Sequence, residues 1–269
     1  MSGLRRSQNI AATVGGSRPV GILARLGYVA SALVHLLIGY LAIRVALQQG
    51  AETDQSGAIA QIAALPGGIL LLWLTVIGLF ALGLWLIVQA FMGVGSASKK
   101  RWVRSLVAAA KAVAYIALAV TALTFALGGS SNASSSTQQA SGGILALPGG
   151  QFLIGLVGII ALAVGVYMMS KGVRQKFVED IAVPAGPSRR PVLILGTVGY
   201  IAKGIAVAVV GVLFVVAAIT INPSQATGLD GALKSLAALP FGTVLLIGVG
   251  IGLIAFGIYT FARARLARL

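Results

Sequence analysis

Four ionisable side chains lie within long hydrophobic segments of the sequence, where a charged group is costly and marks a candidate functional site. They are His35, Arg44, Lys111 and Lys203. Groups in such surroundings take part in proton relays, intramembrane hydrolysis, metal binding or anion binding. Which of these the chain can perform depends on the partners that the rest of the sequence supplies.

The partners needed for the first three kinds of chemistry are missing. The chain has five acidic residues, and none of them falls within the hydrophobic segments. Proton relays and hydrolases depend on such carboxylates or on a paired base. The chain also has one histidine and no cysteine, whereas a zinc site needs three or four protein ligands. We therefore expect neither an enzyme nor a bound cofactor or metal.

His35 and Arg44 have simple structural interpretations. A single histidine without nearby carboxylates predicts a neutral imidazole that is hydrogen-bonded to a neighbouring helix. Arg44 stands near the end of its hydrophobic segment, so its long side chain can reach the polar boundary beyond that end. Both residues remain, with the two lysines, candidate contacts for an anion or a lipid headgroup.

The composition identifies the surroundings of these residues as a membrane. Of the 269 residues, 58% are hydrophobic and only 9% are charged, whereas a soluble domain carries about 25% charged residues. Six apolar segments have the roughly 20 residues that a helix needs to cross about 30 Å of hydrocarbon. They span 26–47, 69–92, 107–127, 152–169, 192–219 and 241–261. Because they lack the alternation of barrel strands, we predict an all-α protein with six transmembrane helices.

The net charge of +15 is distributed unevenly between the two sides of the predicted membrane. Most basic residues fall before residue 26, at 99–104, at 171–190 and at 263–268, whereas the three remaining loops hold Lys234 with Glu52, Asp54 and Asp230. The positive-inside rule then predicts that both termini lie in the cytoplasm. Since membrane insertion already requires this pattern, nucleic acid is not an expected partner, although a basic face for anionic lipids stays open.

The three less basic loops share one motif, which reveals an internal repeat. Each ends in Ala-Leu-Pro-x-Gly, and a glycine and an aromatic residue follow at the same two distances after each proline. The signature residues predicted to be structural are Pro66, Gly68, Gly83 and Trp85 in the first copy, Pro148, Gly150, Gly165 and Tyr167 in the second, and Pro240, Gly242, Gly257 and Tyr259 in the third. We predict that Gly83, Gly165 and Gly257 lie where helices approach closely.

The repeat defines the domain organisation. A cytoplasmic tail at 1–24 precedes three two-helix units at 25–93, 104–173 and 192–265. Since each unit crosses the membrane twice, the copies share one orientation, which predicts a bundle around a pseudo-threefold axis along the membrane normal. The hairpins of the first and third units are apolar and suited to the membrane interface. The Ser/Gln/Gly tract at 128–143 is expected to be too polar and flexible to pack.

The motif Gly-Tyr-x-Ala opens the first and fifth hydrophobic segments, at 27–30 and 199–202. Together with the Ala-Leu-Pro-x-Gly hairpins and the Gly-x-aromatic pairs, it resembles the bacterial membrane family known as domain of unknown function 1206, over about residues 25–262. The resemblance implies a bacterial plasma membrane protein with tandem two-helix units. It implies no activity.

Lys111 and Lys203 occupy the same position in the second and third copies, because each lies the same number of residues before its hairpin proline, and the first copy has Ser31 there. Equal register predicts that both lysines face the axis or that both face the lipid. Facing the axis, they would form a partial cationic ring that attracts an anion or a lipid phosphate. Facing the lipid, they would extend to the headgroups.

Aromatic residues near the basic ends of the helices are interpreted as membrane-interface anchors. They are Tyr28, Trp85, Tyr167, Tyr200 and Tyr259. Taken together, the patterns favour a non-enzymatic membrane protein of structural or accessory type that contacts lipids or other membrane proteins. The alternative is a permease or channel for a small solute, an anion or a lipid, with its path along the axis between the three repeats.

Overall fold

The computed structural model describes residues 18–49, 53–64, 66–93, 99–184 and 186–266. The helices of these residues are α1 Arg18–Ala46, α2 Gln55–Ala63, α3 Gly68–Gly93, α4 Lys99–Ala126, α5 Ala133–Leu145, α6 Gly150–Val173, α7 Arg189–Thr220, α8 Gly228–Ala237 and α9 Gly242–Leu266. Short 3₁₀ segments lie at Lys176–Asp180, Gly186–Ser188 and Pro223–Gln225. Arg5, Arg6, Leu65, Arg268 and most of the predicted tail fall outside the described residues.

Six of these helices are long and apolar enough to cross a membrane, namely α1, α3, α4, α6, α7 and α9. The prediction of a helical protein with six helices of transmembrane length is therefore confirmed for the described residues. The first helix begins earlier than its apolar segment, at Arg18, so the end of the predicted tail is helical. Pro19 favours this start, because proline is tolerated in the first turn, where its missing N–H has no helical partner.

The three short helices α2, α5 and α8 connect the two long helices of each repeat at one end of the bundle, which we call the hairpin end. The opposite end carries Lys171, Arg263 and Arg265, and we call it the basic end. The prediction that 128–143 does not pack is wrong, since α5 covers most of it and Ser141 is buried. Its first turn is capped by Asn132, whose side chain accepts a hydrogen bond of 2.8 Å from the amide of Ser135.

The shared hairpin motif forms the same turn in all three repeats. The residue after each proline has a left-handed backbone, with φ of 76° at Gly67, 76° at Gly149 and 61° at Phe241. The next residue, a glycine in every copy, then begins the long helix. A Cβ atom on Gly150 would overlap the carbonyl oxygen of Ile144, which explains why this position is glycine. The helix therefore starts two residues after the proline and not at the proline itself.

The tightest helix pairs join neighbouring repeats. They are α3 with α4, α6 with α7, and α9 with α1, so the last repeat closes back onto the first. A Cβ atom on Gly165 would lie 2.7 Å from the carbonyl oxygen of Gly204, and one on Gly257 would lie 2.9 Å from that of Ala32. Gly165 and Gly257 occupy one position of the repeat, and Gly204 and Ala32 occupy another, so the two contacts are equivalent. Gly83 occupies the corresponding place between α3 and α4, where its Cβ would lie 2.7 Å from the side chain of Ile116.

Contacts within a repeat differ from one copy to the next. The helices α7 and α9 of the third repeat pack closely, and α1 and α3 of the first repeat pack over a smaller area. In the described residues of the second repeat, α4 makes at most weak contact with α6 and with α7. One side of α4 is therefore loosely packed.

We expect Gly257→Leu to destabilise the bundle by about 1 to 3 kcal/mol, because the new side chain overlaps Leu36 and the backbone of Ala32. Gly248→Leu on the same helix is the matched control, since a Cβ atom there meets nothing within 4 Å. Unfolding by SDS in mixed micelles measures both free energies. Equal values for the two variants would contradict close packing at Gly257.

Candidate functional site

A cavity of about 420 Å³ lies between α1, α4 and α7, beneath the hairpins. Its wall is built from corresponding positions of the three repeats, one helical turn after another. The first turn contributes Ser31 and Lys203, the second His35, Tyr115 and Val207, and the third Ile38, Leu118 and Val210. The cavity thus lies between the first helices of the three repeats.

Lys203 lies at the end of the cavity that is farther from the hairpins. Its Nζ atom stands 4.3 Å from the centroid of the Phe256 ring, a cation–π contact. Among the residues that the structure describes, none forms a hydrogen bond or an ion pair with this ammonium group. Lys203 is therefore a half-buried cation without a protein counter-ion.

His35 lies one turn along α1 from Ser31 and also lines the cavity. Its Nδ1 atom is 2.7 Å from the carbonyl oxygen of Ser31 and must donate, because a carbonyl oxygen only accepts. The predicted bond to a neighbouring helix is therefore replaced by one within α1. In the neutral ring, Nε2 is left as an acceptor for a proton carried by a ligand.

Aromatic rings pack behind Lys203 and His35 on the side of the basic end, and we call them the aromatic floor. Phe256 contacts Tyr200 at 5.3 Å between ring centroids, and Phe177 contacts Tyr200 at 5.4 Å and Tyr259 at 5.2 Å. Phe177 comes from the 3₁₀ segment between α6 and α7, which folds back over the ends of the long helices. Tyr200 and Tyr259 are consequently buried, so their interpretation as interface anchors is wrong, whereas Tyr167 is exposed.

A cluster of ionic groups surrounds this aromatic floor. Asp180 accepts from Lys171 at 2.7 Å and lies 3.6 Å from Arg263. Arg263 also stacks over the ring of Tyr28 at 4.9 Å and lies 3.4 Å from the hydroxyl oxygen of Tyr200. This cluster could not be predicted from the repeat pattern, because Asp180 belongs to a connecting segment that has no counterpart in the other repeats.

The hairpins form the roof of the cavity and are hydrogen-bonded to one another. The amide and the hydroxyl of Thr53 both donate to Asp230, at 2.8 and 2.9 Å. The amide of Ala133 donates to the hydroxyl of Ser56 at 3.0 Å, and the hydroxyl of Ser134 donates to the carbonyl oxygen of Thr227 at 2.6 Å. Each hairpin is therefore bound to the other two.

The two lysines of equal register differ in their contact with the cavity, although Lys203 lies within electrostatic reach of Lys111 and both lie within reach of Arg263. Lys203 lines the cavity, whereas Lys111 is exposed and is absent from the cavity wall. Equal register gives equal surroundings only where the neighbouring helices pack equally, and α4 lacks the contacts that α7 makes with α9. Arg44 lies near the hairpin end of α1, where it donates to Gln49 at 3.3 Å, away from the cavity wall.

The side chains of the cavity change in character along its length. The end near the aromatic floor offers the ammonium group of Lys203 and the imidazole of His35. The middle is apolar, with Ile38 and Leu118 among its residues. The end under the hairpins is polar, with Asp54, Ser134 and Thr137 in the wall.

Comparison with known proteins agrees with this architecture. A family model described as "Domain of Unknown Function (DUF1206)" matches residues 26–93, 106–175 and 198–267. The chain belongs to this family. It is 32% identical over 240 residues to a Bacillus subtilis (strain 168) protein described as "Uncharacterized protein YxxB", with 87% of this chain and 86% of that protein covered. No solved structure matches the chain.

We expect Asp230→Ala to destabilise the protein by about 1 to 3 kcal/mol, because the buried amide of Thr53 loses its acceptor. Lys234→Ala is the control, since it removes the other partner of Asp230, an ion pair whose lysine side chain is 49% exposed and which is worth at most about 1 kcal/mol. Unfolding free energies, together with hydrogen exchange at the Thr53 amide, measure the difference. The roof would not depend on Asp230 if both variants lost the same stability.

Proposed function

We propose that the protein is a non-enzymatic permease, which binds a small anionic solute or lipid in the axial cavity and passes it across the bacterial plasma membrane. In this proposal the three repeats surround a pseudo-threefold axis and both termini are cytoplasmic, so the basic end faces the cytoplasm. The position of Lys203 in the cavity wall carries the proposal.

Electrostatics supports an anionic ligand. A charged side chain inside the hydrocarbon region is costly unless it is paired or hydrated. Lys203 has an aromatic ring as its neighbour and no carboxylate in ion-pair contact among the described residues. A bound anion would supply the missing partner at the position where the cavity is deepest.

The two closed ends support transport in steps and not through an open pore. The roof consists of the hydrogen-bonded hairpins, and the floor consists of the rings of Phe256, Tyr200, Tyr259 and Phe177. A ligand that moves along the cavity toward either face of the membrane passes only when one of these layers moves. Alternate opening of roof and floor would give access to each side in turn.

A second candidate function is that of a structural or accessory protein, whose outer surface contacts lipids or other membrane proteins. The lipid-facing side of α6 carries exposed apolar residues such as Phe152, Ile159 and Val166, which suit lipids or another membrane protein. An accessory function does not explain why a lysine lies inside the bundle, whereas the permease proposal does.

The test is anion flux into proteoliposomes, with radiolabelled phosphate, sulfate, acetate and octanoate as probes. We expect Lys203→Gln to lower the flux of at least one of these anions tenfold or more. Lys111→Gln removes the lysine of equal register that lies outside the cavity wall, and it should leave the flux unchanged. Equal flux in Lys203→Gln and the natural protein, or no flux of any of the four, would overturn the proposal.

A further inference from the structure

The second repeat leaves an opening in the wall of the bundle. The pairs α1 with α3 and α7 with α9 close the corresponding positions of the first and third repeats. Between α4 and α6 the described residues make at most a weak contact. Since α4 contributes Tyr115 and Leu118 to the cavity wall, the opening borders the axial cavity.

The residues at the contact between the two long helices of the first and third repeats explain why the second repeat has an opening. A Cβ atom on Gly27 would lie 3.0 Å from Leu82, and one on Gly199 would lie 2.6 Å from the backbone of Phe256. In the second repeat, Val107 stands at the position of the two glycines. Val164 stands at the position of the facing residues, Leu82 and Phe256. A valine side chain does not fit where the other repeats bring glycine against the facing helix. Both valines are accordingly exposed, at 46% and 45%.

The opening faces the hydrocarbon of the membrane. Ile160 on α6 is exposed, as are the two valines. At the hairpin end the opening is bounded by α5, which connects α4 to α6. A water-soluble ion would have to cross this apolar passage, whereas a molecule already dissolved in the bilayer meets no such barrier.

We propose that the ligand of the axial cavity is a single-chain amphiphile with an acidic headgroup, and that it enters from the bilayer between α4 and α6. This inference rests on the proposed function and specifies its substrate class. The carboxylate or phosphate head pairs with Lys203, and the O–H of a singly protonated phosphate head donates a hydrogen bond to Nε2 of His35. The acyl chain lies among Ile38, Leu118 and Val210.

The dimensions of the cavity favour one acyl chain. From Lys203 to Val210 the wall rises about 10 Å at 1.5 Å per residue. A volume of about 420 Å³ accepts a headgroup and part of one chain. The remainder of a longer chain extends through the opening into the bilayer. The opening thus removes any strict limit on chain length.

Photolabelling in nanodiscs tests the ligand class. The probes are a fatty acid and a lysophosphatidate, each with a diazirine in its chain, and a diazirine-labelled aliphatic alcohol serves as the uncharged comparison. We expect at least one acidic probe to label α4 and α7 at the cavity wall. Labelling should fall tenfold or more in Lys203→Gln and stay unchanged in Lys111→Gln. The relative labelling by the two acidic probes distinguishes carboxylate from phosphate.

The route of entry is tested by bridging the opening. The natural chain has no cysteine, so Val107→Cys with Val164→Cys creates one thiol pair that a bifunctional maleimide can link. Bridging before the probe is added should abolish cavity labelling, and bridging afterwards should retain the probe. Gly27→Cys with Leu82→Cys is the control, because it links two helices that already pack, and its bridging should have no effect.

The outcomes separate this inference from the permease proposal. Labelling confined to the lipid-facing surface of α6, equal cavity labelling by the alcohol, or full labelling of the bridged protein would overturn the inference. If phosphate or acetate flux depends on Lys203 while neither acyl probe enters the cavity, the inference fails and the permease stands. If the acyl probes label the cavity through Lys203 but none of the tested anions is transported, the ligand class stands and transport fails.

Discussion

Close backbone contact between helices of neighbouring repeats is the constraint on which the structure depends. In a membrane the lipid is as apolar as the side chains, so helices associate where small residues allow their backbones to approach. Gly165 on Gly204 and Gly257 on Ala32 are two instances of one such contact. Fixing the helix pairs at the repeat boundaries places α1, α4 and α7 around the axis without close contact among them. The cavity is the space that remains.

The contacts within the repeats determine how this space is enclosed. Glycine at positions 27 and 199 lets the two helices of the first and third repeats meet. Val107 prevents the same approach in the second repeat, and α4 stays apart from α6. A small difference in side-chain volume at one register position therefore converts a packed wall into an opening. The roof is less sensitive to such a change, because its hairpins are joined by polar bonds and not by close packing alone.

The features that could be predicted from the sequence depend on local register. Helix number, the repeat and the glycine contacts follow from hydrophobic length and from equal spacing to each proline. Other features depend on contacts between distant segments. The polar tract that forms α5 is held by its cap at Asn132 and by the other hairpins. Tyr200 is buried because the segment with Phe177 folds over it, and Lys111 differs from Lys203 through unequal packing of their helices.

The joining of the three repeats in one polypeptide has an electrostatic consequence. A homotrimer of single repeats would place identical residues at the level of Lys203, and three ammonium groups around one narrow cavity would repel one another. Here the corresponding positions are Ser31, an exposed Lys111 and Lys203, so one of the three positions places an ammonium group in the cavity wall. Sequence differences between the copies thus make the cavity wall asymmetric, which a homotrimer of identical repeats could not do.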